Sequence, residues 1–432
     1  MSIDLQKEEL TTKTRPICTE RRLKNGLWMI CHPDQTAPIL TLDLIYRVGS
    51  RYEEPGKTGY AHLFEHLMFD GSEYIGRGEY DRYCTMVGGE NNAWTSPDLT
   101  NYWLTLPADN LEMALWLESG RMSGFGITQE SLDTQKSVVT AEKRQVIDNV
   151  PYGNAGTILR ELLFPPTHPY SHEPIGTIED VEKATLEELR DFHGRFYVPE
   201  NAILVLAGAV DPEETLDKAE EYFGEIKQTT RPPLAQRTLI DENFHHGSRR
   251  IVADPITPLP AIFLGWRIPD LQSHDLHGLE LLSMILADGD SSRFRRALEY
   301  QPLIASETSA FIEEGELGSI FSAYAIAQNN RISTARLERE LLKEIGKTAT
   351  EGVTEAELMK AKNRKMTAIV HGLLSISERA ERIACNAALY ENPHLTWDEI
   401  SYYEKITIDE IKELADRYLR SVEPVVVEYM SS

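Results

Sequence analysis

The stretch Gly59-Tyr60-Ala61-His62-Leu63-Phe64-Glu65-His66-Leu67-Met68-Phe69-Asp70-Gly71 decides how the rest of the chain is read. One glycine opens it, another stops it, and Leu63, Phe64, Leu67 and Met68 supply an apolar face. It therefore predicts a short, partly buried helix. On such a helix His62 and His66 lie about one turn apart, and both imidazoles can reach one ion. Glu65 falls three residues from His62, on the same side, where its carboxylate can take a proton from water beside a metal. The order is His-Glu-x-x-His reversed, the inverted zinc-hydrolase pattern. Short patterns also recur by chance, and surface helices often carry His and Glu. The pentapeptide alone leaves zinc chemistry and an ordinary helix face as alternatives.

Upstream, Lys24-Asn25-Gly26 reads as a hairpin turn, and residues 38–46 alternate like a strand. A catalytic zinc needs a third protein ligand from elsewhere in the chain. Residues 131–150 predict a helix, with apolar Val138, Val139, Ala141 and Val146. Glu142 lies within it and, taken alone, reads as a solvated helix glutamate.

Further along, Gly88-Gly89-Glu90-Asn91-Asn92-Ala93-Trp94-Thr95 runs on to Thr100-Asn101-Tyr102, and His168-Pro169-Tyr170, Gly176-Thr177 and Phe196-Tyr197-Val198-Pro199-Glu200-Asn201 follow. With these segments the chain resembles the pitrilysin/insulysin family of zinc peptidases. It is most similar to the short, two-subunit branch that includes the mitochondrial processing peptidases and their bacterial relatives. The resemblance covers the first half and continues more faintly beyond.

That resemblance implies one Zn²⁺ per chain held by His62, His66 and Glu142, with Glu65 as general base. It also implies that Asn92 and Ala93 lie on a strand that pairs with substrate backbone. The activity it implies is hydrolysis of unfolded peptides or small polypeptides inside an enclosed chamber. Two features depart from the family pattern. Gln135 stands where many relatives carry a second glutamate ahead of the ligand glutamate, and an amide cannot exchange a proton near neutral pH. The segment Ser292-Arg293-Phe294-Arg295-Arg296-Ala297-Leu298-Glu299 resembles the start of the element that directs an arginine and, seven residues on, a tyrosine at the reaction centre, and aligned on it those two positions hold Glu299 and Ser306. A homologous partner subunit carrying the Arg/Tyr pair is the expected remedy, giving a heterodimer. A homodimer in which Arg295 or Arg296 substitutes is the alternative. A non-catalytic structural or metal-binding member of the same fold is the other functional reading.

Other candidates carry less. His168 and His172 have helical spacing, but Pro169 and Pro174 oppose a helix and hence a second metal pair. His245-His246 reads as an exposed loop, and Gly76-Arg77-Gly78 is too short to cradle a phosphate. Four cysteines (18, 31, 84 and 385) show no metal spacing, and free thiols are expected rather than a Cys18–Cys31 bridge.

A formal charge of −25 over 432 residues argues against nucleic acid as a partner. No apolar run is long enough to span a membrane, and residues 1–10 lack the core of a signal peptide. The sequence as written reads as cytoplasmic, or periplasmic if a leader has been removed. An internal repeat sets the architecture. Thr185-Leu186-Glu187-Glu188 leads to a helix and the apolar run 202–207. Thr407-Ile408-Asp409-Glu410, 222 residues later, leads to a helix and Val425-Val426-Val427. Both open with a Thr-x-x-Glu capping box. Ala261 to Trp266 likewise echoes the strand before the histidine helix, and the following segment offers His277 and Glu280 without a second histidine. The expected fold is α+β, with two homologous halves of mostly antiparallel sheet covered by helices, forming part of a clam-like chamber. The expected division is 1–227, a linker at 228–242, and 243–432.

Overall fold

The computed structural model describes residues 18–227 and 247–430; the expected linker and His245-His246 lie outside the described residues. Its first sheet has six strands: β1 (Thr19–Arg22), β2 (Trp28–Pro33), β3 (Ile39–Tyr46), β4 (Glu90–Thr95), β5 (Thr100–Pro107) and β6 (Ala202–Gly208). Their order is β1-β2-β6-β3-β5-β4. The second sheet contains β7 (Arg249–Ala253), β8 (Ala261–Ile268), β9 (Ala305–Glu313), β10 (Ser319–Ala327) and β11 (Val425–Met430), in the order β7-β11-β8-β10-β9. Without β1 the two orders are the same. In each, one parallel pair (β2 with β6, β7 with β11) is followed by antiparallel neighbours. The duplication read from the capping boxes is thus a duplication of topology. Both boxes form, at the Leu186–Phe196 and Ile408–Leu414 helices.

Strand β3 shows why the halves act as one body. Alternating polar residues predict one wet face, yet β3 is buried along both. Leu40, Leu42, Leu44 and Tyr46 enter the core beneath the first half's own helices. Ile45 points the other way, against the Ile376–Tyr390 helix of the second half. That helix presents Ala380, Ala384 and Ala387 to the sheet, and small side chains let a helix approach a sheet closely. The exchange is reciprocal. The Ala155–Leu163 helix of the first half packs Ile158, Leu159 and Leu162 against Val425, Val427 and Tyr429 on the back of the second sheet. Burying each large apolar side chain contributes about 1.5–3 kcal/mol, so neither sheet's back face is stable bare.

A polar knot adds to this seam. Arg51 Nη1 donates to Asp98 Oδ1 at 2.8 Å and pairs with Glu316 Oε2 at 2.5 Å. Tyr170 Oη donates to the same Asp98 at 2.6 Å, and the Glu316 amide donates to it at 3.1 Å. Asp98 lies in the turn between β4 and β5, so the second half grips the first at the root of its edge strand.

Candidate metal centre

The Tyr60–Leu67 helix forms where expected. Gly59 precedes it at φ 89°, and a Cβ there would lie 2.7 Å from the Ile175 carbonyl oxygen, so glycine is required both for the turn and for the approach. The first turn is held by a group without a sequence signature. The buried Glu53 carboxylate accepts from the Gly59 amide at 2.9 Å and the Ala61 amide at 2.8 Å, placing a negative charge at the helix N-terminus. His172 Nε2 lies 2.9 Å from the same carboxylate. Burial pushes Glu53 up, against the pull of His172 and the two amides. His172 is therefore not half of a metal pair with His168; it steadies the start of the histidine helix.

The expected helix at 131–150 runs as Gln129–Lys143 and continues as a π-helical turn over Arg144–Asp148. Val139 is buried, whereas Val138 and Val146 are exposed, so the inward face is narrower than the apolar residues alone imply. Glu142 lies on the last turn and reaches the histidines. Its Oε2 is 3.3 Å from His66 Nε2, and its Oε1 is 3.8 Å from His62 Nε2. Potential ligand atoms of His62, His66 and Glu142 all fall within 4.8 Å of one another, and they form the only such group among the described residues. The imidazoles meet nearly edge to face, with centroids 4.7 Å apart.

The electrostatics suit a cation. Burial, then His66, holds His62 down at about 4, so its ring is neutral and free to donate a lone pair near neutral pH. The bond from His66 holds Glu142 below the usual carboxylate range, against the opposing effect of burial. Glu65 is pushed up, by burial first and then by the charge on Glu142, against the opposing bond from Thr95. Thr95 Oγ1 donates to Glu65 Oε2 at 2.5 Å. Two imidazole nitrogens and a carboxylate converging on one point match the donor set that zinc takes.

Strand β4, carrying Asn92 and Ala93, is the edge of its sheet. Asn92 is exposed, and its Oδ1 accepts from the Ala93 amide at 2.9 Å. Trp94 Nε1 donates to Glu381 Oε1 at 2.8 Å, tying this edge to the second half. Gln135 Nε2 donates to Asp70 Oδ1 at 3.4 Å. Elsewhere, Glu299 accepts from Arg295 Nε at 2.9 Å and from Thr308 Oγ1 at 2.6 Å, while Ser306 Oγ donates to the Ala327 carbonyl at 3.2 Å. The four cysteines are free thiols.

The family model described as insulinase (peptidase family M16) matches residues 29–155, and that of the peptidase M16 inactive domain matches residues 183–365. The chain belongs to the insulinase family. Relatives in that family carry the name zinc protease. Zinc protease PqqE of Helicobacter pylori is 26% identical over 409 residues, covering 94% of this chain and 91% of the relative. An uncharacterized zinc protease of Rickettsia bellii is 25% identical over 378 residues, covering 85% and 87%. Among solved structures, a protease from Helicobacter pylori superposes with a TM-score of 0.89 at 26% identity, over 96% of this chain and all of that one. A peptidase M16 inactive domain from Pseudomonas fluorescens superposes with a TM-score of 0.86 at 17% identity, over 96% and 98%, a likeness of fold alone. No described helix is long and apolar enough to cross a membrane.

Proposed function

We propose that this chain is the zinc-bearing subunit of an endopeptidase that cleaves unfolded peptides or small polypeptides. The carrying observation is the convergence of His62, His66 and Glu142, brought from two separate helices, beside Glu65. These three residues would hold one zinc ion per chain, which supplies Lewis acidity to the scissile carbonyl and to water. Glu65 takes the proton from the attacking water and later delivers it to the leaving amine. Its raised proton affinity and its fixed bond to Thr95 both suit that exchange. Substrate backbone adds to the free edge of β4 beside Asn92 and Ala93, where main-chain bonds give affinity with little sequence choice.

Glu299 and Ser306 are engaged within the second half and supply neither a cation nor a phenol. A homologous partner therefore provides the Arg/Tyr pair, and the two chains together enclose the chamber. The same two residues favour the second reading, a member of the fold that binds metal without hydrolysis.

Glu65→Gln separates the readings. It should retain zinc and lower the peptidase rate, measured with the partner present, by about 100- to 10,000-fold, the usual contribution of a general base. Undiminished turnover would remove Glu65 from the mechanism. Absence of turnover by the unaltered protein with every homologous partner would favour the non-hydrolytic reading.

A further inference from the structure

The second half repeats the concave place in which the first half assembles its metal centre. His277 and Glu280 are the third and sixth residues of the Asp275–Ala287 helix, as His62 and Glu65 are of theirs. Leu281 takes the position of His66. Beside them, between this helix and the Ile376–Tyr390 and Leu395–Lys405 helices, lies a cavity of about 330 Å³. That size is at the lower end of small-molecule sites.

Charge decides what could enter. The cations lining the cavity are Lys365 and Arg382, and the anions are Glu280, Glu314 and Glu399. Lys365 Nζ donates to Glu280 Oε1 at 2.8 Å, and Arg382 Nη1 to Glu399 Oε2 at 2.8 Å. Those pairs neutralise each other and leave Glu314 over. It follows β9 as Thr95 ends β4, and it leans on Glu280 as Thr95 does on Glu65. Where the first half sets a hydroxyl against a carboxylate, the second sets two carboxyl groups together. Burial, then the charge on Glu280, pushes Glu314 up to about 7. It nevertheless remains open to solvent. Among the described residues Glu314 forms no ion pair of its own, and it shares the field of Lys365 with Glu280. Leu276, Leu389, Leu395 and the Tyr402 ring, which stacks on His277 at 5.2 Å, give one apolar stretch of a wall that also carries Gln272, Ser273, His274 and Asn386. Three metal-ligating groups do not converge here, so a divalent ion is not the fitting guest.

We propose that this cavity is a binding site for a small organic cation with an apolar body, its ammonium group paired with Glu314 and its body against the leucines and Tyr402. The site is independent of the zinc reading, because its binding is measured at equilibrium without peptide or metal.

The test is calorimetric titration of the full chain at pH 8 with phenethylamine, and with 2-phenylethanol and phenylacetate as neutral and anionic matches. The amine should bind saturably with one site per chain, and both matches should bind at least tenfold more weakly. Glu314→Gln should weaken the amine at least tenfold. Gln272→Trp, at an exposed rim position, should abolish binding without moving the thermal unfolding midpoint. No saturable binding, equal binding of the alcohol, or unaltered binding by either variant would overturn the proposal.

Discussion

The two halves share strand order, strand direction and the placement of a helix after the central strand of each five-strand order, β3 and β8, yet they treat charge in opposite ways. The first half gathers acceptors: two imidazoles on the Tyr60–Leu67 helix and Glu142 on the Gln129–Lys143 helix. The second places an ammonium group among its acceptors. Lys365, on the topologically equivalent Glu355–Gly372 helix, donates to Glu280, and Tyr403 Oη donates to the same carboxylate. The sheet fixes where the concave place lies, and a few side chains decide whether it converges acceptors, as at His62, His66 and Glu142, or places a lysine among them.

The largest expected effect comes from making the first half resemble the second. His66→Leu copies Leu281 onto the histidine helix and removes one of the proposed ligands. Zinc affinity, measured by competition with a chelator, should fall by about 100-fold or more, beyond the range seen when only outer-shell partners are lost. Peptidase activity should vanish with it. Near-wild-type affinity would mean that the metal is held by other groups.

A second difference lies in how the two halves anchor the helix that carries their deciding residue. In the second half, Glu357 closes a capping box with Thr354 and accepts two bonds of 2.8 Å from Arg293. In the first half, the same third position is Ser131 beneath Thr128, with no box. The bond from Arg293, aided by Thr354 and opposed by burial, takes Glu357 from an ordinary value of 4.5 to about 2. Because the folded value is depressed, the stabilisation is present above about 4.5 and disappears as pH falls towards 2. Glu357→Gln should lower unfolding free energy at pH 7 by about 1–2 kcal/mol once solvent screening is allowed for. The gap from wild type in denaturant titrations should close as pH approaches 2. A gap independent of pH would assign the loss to packing rather than charge.

Local patterns made much of this readable. The glycine-bounded helix and the capping boxes are short-range features, and each lies where its residues placed it. The strand of Asn92 and Ala93 was implied by the family resemblance, and its place at the sheet edge is set by long-range pairing. Contacts between the halves were not readable. Asp43 looks like a solvent-facing strand residue, but a helix more than 300 residues away covers it. Buried there, it accepts from Asn101 Nδ2 at 2.6 Å. Glu53 and His172 were missed because capping by a distant carboxylate has no fixed spacing. Thr95 lay inside a quoted motif, but its bond to Glu65 depends on how the edge strand crosses the helix.

The smallest expected effect concerns a position where neither half carries a carboxylate. Gln135 is the seventh residue of the Gln129–Lys143 helix, and Ala361 is the seventh of Glu355–Gly372. Gln135→Glu would bring a second negative charge towards Asp70, which already accepts from Arg77 Nε at 3.2 Å. Arg77 can turn between the two carboxylates and offset most of their repulsion. Zinc affinity should stay within about threefold of wild type, and the rate within about tenfold, below what removal of a proton-transferring group costs. A gain of about 100-fold or more would show that the amide had been withholding proton transfer. The first half would then itself stand part-way along the route that the second has travelled, keeping the metal site while losing groups around it.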